Sequence, residues 1–360
     1  MECGCVINYF RDHLFGILFN MRTFILLFVC SVIISVNFGT CVDEKEWDSF
    51  KKEYNKLYAN TVIEVLRKNI FNINAEMIKK HNEKFNKGEV TFKMGMNEFG
   101  DLNHNEFLQR FSIKESHFNG TMRRAKNIAD GFKVEDPSIC QCNFSEVMST
   151  VHNQKDCRIG WAYSMTDAIA GRYYMHKKRQ KTCPPLSVQY LVGCSMSMGN
   201  YGCESGEAKN ACDLIKLNRR MPEKSSYTND NCSMSAMKNT VFLNITRCQI
   251  ETLDENVSKL VTNLRKNGPM SASISAEHPS FQFAKEGIYY EDDCDKTPNH
   301  EVLLVGYNGT DQKNAYWIVK NSFGTSWGEN GFLKISTKAA KNNCRAVSKV
   351  VYPVFSNFQT

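Results

Sequence analysis

The chain has 360 residues, 42% of them hydrophobic and 23% charged, with a formal net charge of +7. Those proportions exclude a disordered or fibrous chain and leave room for one large or two medium cores. So modest a positive balance gives no ground for a nucleic-acid partner, and fifteen cysteines spread through the chain read as a disulfide framework made in a secretory compartment.

Met21-Arg22-Thr23 precedes an uncharged apolar run from Phe24 to Val36, the pattern of a signal peptide. It is expected over residues 1–40, with Met21 offering a second start. The run is shorter than the roughly 18 residues that span a bilayer, so no stable membrane insertion is expected. The expected location is secreted and extracellular, with a lysosomal or other endomembrane lumen as the alternative.

Residues 42–86 turn helical. Trp47, Phe50, Tyr54 and Tyr58 share one face, and Val62, Val65, Leu66, Ile70, Ile73, Met77 and Ile78 form a stripe on a second segment. Both stripes are expected to be buried. A strand-like stretch follows from Val90 to Asp101. Residues 112–135 are polar, hold Arg123-Arg124 and show no periodicity, as suits an exposed maturation linker.

The body, 136–360, starts near Asp136-Pro137. Helices are expected over 161–178, from about Ser187, and over 207–217. The basic run from Lys177 to Lys181 falls where the first of these ends, so it reads as a solvated helix terminus favoured by the macrodipole. After Gly268-Pro269 the pattern changes to strands: 270–276, 287–290, 302–307, 315–319, 332–335 and 350–355. A helical half followed by a strand-rich half is an α+β arrangement with a cleft between them. No Cys-x-x-Cys pair meets a second at zinc-site spacing, so neither a metal nor a cofactor is expected.

The stretch that the rest serves is Gln154-Lys155-Asp156-Cys157-Arg158-Ile159-Gly160-Trp161, which leads from a polar loop into the first body helix. A thiol at a helix N-terminus has a lowered pKa, and a cysteine peptidase adds a histidine and a group that orients it. Cys157 and Trp161 fit the Cys-Gly-Ser/Ala-Cys-Trp pattern, but glycine stands at 160. Farther on come Asn299-His300 and the run Lys320-Asn321-Ser322-Phe323-Gly324-Thr325-Ser326-Trp327-Gly328. Upstream, Arg67, Ile70, Phe71, Asn74, Ile78 and Asn82 form one spaced signature, from which Ile63, four residues before Arg67, departs, and Gly95, Asn97, Phe99 and Asp101 form another.

On these motifs the chain resembles papain-family cysteine peptidases over about residues 43–355. The resemblance implies a papain-like two-subdomain fold, with a helical half and an antiparallel, β-barrel-like half, preceded by a helical inhibitory prosegment over 42–111 bound in cis. Gln154 matches the oxyanion-hole donor, His300 the base and Asn321 its orienting partner, while Gly160 takes the place of the nucleophile. Along the cleft, Arg158 and Ser205 replace glycines and Gly206 is kept. Glu301 replaces a small pocket residue, Phe323 replaces a tryptophan, and Trp327 is retained. Arg158 and Glu301 are expected to narrow and charge the groove.

The same resemblance implies disulfides joining Cys157 to Cys203, Cys194 to Cys232 and Cys294 to Cys344. A further one joins Cys248 to Cys140 or Cys142, as in mite group 1 allergens. Cys183 and Cys212 are left without assigned partners. Sequons stand at Asn119, Asn143, Asn231, Asn244, Asn256 and Asn308, which on a secreted chain are glycosylation sites. The functional expectation is a proteolytically inactive homologue, similar to inactivated mite paralogues. It would act by binding or as a decoy toward a protein partner such as a protease inhibitor or an immune protein. The alternatives are an endopeptidase with residual activity and a storage or structural glycoprotein.

Overall fold

A computed structural model describes residues 44–112, 141–145, 150–177, 184–227, 232–252, 257–292, 298–309, 314–338 and 347–356. The expected signal peptide, the expected linker beyond Ser112, the expected Cys294 to Cys344 pair, Cys140, Cys183 and the sequons at Asn119, Asn231 and Asn256 lie outside those residues, as does the side chain of Cys142.

The prosegment begins with helix α1 (Glu44–Glu53), which has acids in its first turn and lysines in its last, as the helix dipole favours. Trp47 and Phe50 are buried against Phe71 of α2 (Thr61–Asn86), with ring centroids 5.3 and 4.8 Å from it. The expected stripe of α2 is only partly the buried one. Val62, Val65, Leu66 and Ile73 are exposed, whereas Phe71, Asn74 and Ile78 face inward. Polar contacts decide this register: Asn74 Nδ2 donates to the carbonyls of Gly100 and Leu102 at 2.8 and 3.0 Å, which fixes the face that turns to the later part of the prosegment.

Within 90–101 only β1 (Phe92–Met94) is strand. Helix α3 (His104–Phe111), which hydrophobic periodicity did not pick out, starts with a capping box between Asn103 and Glu106. Its Phe107 and Phe111 are buried.

In the body, α4 (Gly160–His176) is buried almost all round, the mark of a core helix. Around it lie α5 (Val188–Cys194) and α6 (Ala208–Asn218), with a two-stranded pairing of β3 (Arg220–Pro222) and β4 (Thr240–Phe242). The sequence reading did not identify β5 (Ile245–Thr252) or α7 (Val257–Asn267); β5 leaves much of its length exposed and so carries little alternation.

The main sheet adds β6 (Met270–Ile274), β7 (Ala284–Tyr289), β8 (His300–Asn308), β9 (Tyr316–Lys320), β10 (Phe332–Ser336) and β11 (Lys349–Phe355). Its order is β1-β7-β10-β9-β8-β6-β11-β5, with β2 (Gln141–Asn143) on β8. The expected all-antiparallel half is in fact mixed, because β10 pairs with β7 in parallel. β1 extends the body sheet antiparallel to β7, so the prosegment is joined to the body by backbone pairing. The result is a papain-like α+β fold with a helical N-terminal prosegment.

Disulfides join Cys157 to Cys203, Cys194 to Cys232 and Cys212 to Cys248. The last corrects the expected staple from Cys248 to Cys140 or Cys142. Cys212 lies on α6 and Cys248 on β5, which pack together and bring their Cα atoms to 6.0 Å. Among the described residues no helix is long and apolar enough to cross a membrane.

Candidate active site

Helix α4 opens at Gly160 behind Ile159, which makes no side-chain cap. A Cβ placed on Gly160 would stand 2.9 Å from His300 Cε1 and 3.3 Å from Nδ1. Position 160 therefore faces the imidazole, and it offers no side chain. The same Cβ would meet the carbonyl oxygen of Glu301 at 2.7 Å, closer than side chains pack, and the space between α4 and β8 there is about 10 Å³.

Across from it, His300 Nε2 bonds to Asn321 Oδ1 at 2.8 Å, and Phe323 stacks on the ring with centroids 4.8 Å apart. Burial lowers the His300 pKa to about 4, against the opposing hydrogen bonds to Asn321 and to the backbone of Phe111. The imidazole is neutral at physiological pH and carries one N–H; Nε2 lies against Asn321 Oδ1 and Nδ1 lies toward position 160. Asn321 Oδ1 also accepts from the Ser322 N–H at 2.7 Å. Gln154 is buried and already engaged: Nε2 donates to the Cys157 carbonyl at 2.8 Å, and Oε1 accepts from Ser322 Oγ at 2.6 Å.

The cysteine and serine nearest position 160 in the chain are both engaged elsewhere. Cys157 is held in its disulfide. Ser164 is buried one turn into α4, with its hydroxyl donating to the Trp161 carbonyl at 3.2 Å and lying 2.6 Å from Ser271 Oγ.

Arg158 and Glu301, expected to narrow and charge the groove, are both engaged. Arg158 reaches the prosegment, donating from Nε to the Gln109 carbonyl at 2.9 Å and from Nη2 to the same oxygen, while Nη1 lies 3.4 Å from Glu204. Glu301 is buried, accepting from the Ala208 N–H at the start of α6 at 3.1 Å and from Ser271 Oγ at 3.3 Å. Burial raises its pKa to about 7, opposed by Lys349 and reinforced by Glu207. Ser205 is fully buried, and among the described residues its hydroxyl has no hydrogen-bond partner. Gly206 lies against Trp161, where a Cβ would come within 2.3 Å of the indole.

The prosegment covers what remains. Phe111 packs on Phe323 at 4.6 Å, and Phe99 and Phe107 meet the same ring at 5.6 and 5.7 Å. Trp327 completes the cluster, donating from Nε1 to the Phe281 carbonyl at 2.9 Å. Asn97 donates to the Gln282 carbonyl at 2.8 Å, and Gln282 Nε2 returns bonds to the Phe99 and Leu102 carbonyls. Sequence reading missed Asn299, whose Nδ2 donates to Ser112 Oγ at 3.0 Å, and the pairing of Lys349 with Glu207 at 3.5 Å beside Glu301. No local motif marks either, since their partners lie far off in the chain.

Comparison with known proteins agrees with this geometry. Residues 140–354 match the model of the papain family cysteine protease, and residues 47–107 match the cathepsin propeptide inhibitor domain. The chain is 33% identical to digestive cysteine proteinase 3 of Homarus americanus, with 91% of this chain and 98% of that protein covered. Cathepsin L1 of Drosophila melanogaster is 34% identical, with 93% and 92% covered. The solved structure of digestive procathepsin L 3 from Tenebrio molitor larval midgut superposes with a TM-score of 0.71 at 30% identity, covering 87% of this chain and 99% of that one.

Proposed function

Since the chain belongs to the papain family of cysteine peptidases, we propose that it is a member without peptidase activity, secreted and kept for what its surface binds. The observation that carries this reading is the glycine facing His300. A peptidase of this kind needs a thiolate there to attack the scissile carbonyl, and the imidazole exists to take and return its proton. Without it His300 has no proton to accept, and Gln154 would have no oxyanion to steady.

The arrangement around Gly160 supports the same view. Restoring one side chain would meet the Glu301 backbone, and Ser164 is turned into the core, so neither offers an easy return to catalysis. A decoy role toward a protease inhibitor or an immune protein fits a retained scaffold. The finer likeness to inactivated mite paralogues rests on Gly160 alone, because Cys248 is bonded to Cys212.

The second reading, residual endopeptidase activity, draws on the His300 to Asn321 bond, which is intact at 2.8 Å. Assay of the purified protein on fluorogenic peptides, before and after cleavage of the 112–135 linker, tests both. The proposal expects no hydrolysis in either form; turnover that copurifies with the protein and is blocked by thiol reagents would overturn it.

A further inference from the structure

At the far end of α4 from Gly160 lies an open groove of about 690 Å³ between α7 and the β5–β11 pair. Arg172 lies on this wall about 18 Å along the helix from Gly160, at 1.5 Å per residue. Arg172 is only 4% exposed, and its guanidinium is held by neutral groups: the Pro269 carbonyl at 2.9 Å, the Pro353 carbonyl at 3.4 Å, Asn263 Oδ1 at 3.1 Å, and the face of Tyr352 at 4.0 Å. Among the described residues no carboxylate comes within ion-pair distance of it. A buried charge held this way is costly, and burial pulls the Arg172 pKa down to about 9.

Arg247, Lys259 and Lys266 line the same groove. Its one carboxylate, Glu251, is engaged by Tyr352 Oη at 2.6 Å and by Lys259 at 3.4 Å. His176 also lines it, but burial and Lys177 lower its pKa, so it adds no charge at neutral pH. The carbonyl ends of α4 and α7 oppose an anion by about half a charge each, which four full cations against one carboxylate outweigh. Concave walls concentrate such a field.

From this geometry we propose that the groove is a binding site for a small oligoanion bearing phosphate or sulfate ester groups. The exposed cations Arg247 and Lys266 contact it, with Arg172 as fixed positive charge behind them. Arginine suits tetrahedral oxyanions because its fork donates in pairs, and Arg247 is exposed on the groove wall to do so. The site is independent of the cleft and does not rest on whether the protein is a peptidase.

Calorimetric titration of the full chain with inorganic phosphate, ATP and a sulfated heparin tetrasaccharide, at about 50 mM salt where screening is weak, tests it. Saturable one-site binding of ATP or the tetrasaccharide is expected, and which of the two binds tells phosphate from sulfate. The Arg247→Glu/Lys266→Glu double variant should weaken binding at least about tenfold, and raising the salt should weaken it further. Lys87→Glu/Lys224→Glu, with the same change in net charge away from the groove, should leave affinity within about twofold. Failure of all three probes to bind below about 1 mM would overturn the proposal. Equal losses in the two double variants would overturn it as well, since binding would then follow net charge alone.

Discussion

Gly160 and Glu301 meet so closely that any side chain at 160 would place its Cβ 2.7 Å from the Glu301 carbonyl oxygen. That oxygen belongs to the backbone of β8, a strand buried along nearly its whole length, where Glu301 is paired with Ser273 of β6, so it has little freedom to withdraw. Gly160→Cys is therefore expected to cost about 1 to 3 kcal/mol of stability by overpacking and to restore little turnover. Thermal unfolding and a fluorogenic peptide assay check both; a fully stable variant with robust turnover would refute this account of the closed site.

Arg158 ties body to prosegment through the Gln109 carbonyl. Hydrogen bonds to a charged donor contribute roughly 1.5 to 3 kcal/mol when buried, and partial exposure of Arg158 reduces that. Arg158→Gly should weaken retention of the prosegment after linker cleavage by about tenfold, read by gel filtration of the cut protein. Arg110, which pairs with Asp156 on the exposed rim at 3.0 Å, should matter far less.

Glu301 and His300 are neighbours whose pKa shifts act on stability in opposite directions. Glu301 holds its proton in the folded state up to about pH 7, so between its unfolded value near 4.5 and pH 7 the native state binds more protons and stability falls as pH rises. For His300, lowered to about 4, the unfolded state binds more protons between pH 4 and 6.5, and stability rises with pH. The two nearly cancel across their shared range. Glu301→Gln removes one slope, so the variant should gain on the wild type as pH rises from 4.5 to 7. The gain should be of order a few kcal/mol, at about 1.4 kcal/mol per pKa unit. Denaturant titrations at three pH values would show it, and a constant difference would contradict the assignment.

The bond between Cys212 and Cys248 pins α6 to β5 across a separation of 36 residues. Replacing both by alanine should cost about 2 to 4 kcal/mol. Non-reducing peptide mapping should recover the 212 and 248 peptides linked to each other, with no link from 248 to the segment holding Cys140 and Cys142.

The core helix α4 and the central strands β6 and β8 were legible as apolar stretches of helix or strand length, buried nearly all round, and His300 and Asn321 because each sits in a fixed local motif. The orientation of single side chains was not. Glu301 turns inward because the Ala208 N–H, 93 residues away in the chain, offers it a bond that no pattern around residue 301 announces. Nor does any pattern around Arg158 announce its bond to Gln109, 49 residues earlier. The face of α2 was misassigned where polar bonds from Asn74 outweigh a longer apolar stripe. Helix α3 was written in its Asn103 to Glu106 capping box, which apolar periodicity does not register.

The central claim, that no nucleophile faces His300, is tested most directly with a thiol-directed epoxide. The linker-cleaved protein, freed of its prosegment, is incubated with the epoxide and weighed intact. The account predicts an unchanged mass and no hydrolysis of peptide substrates. A stoichiometric adduct whose formation abolishes measurable hydrolysis would contradict it.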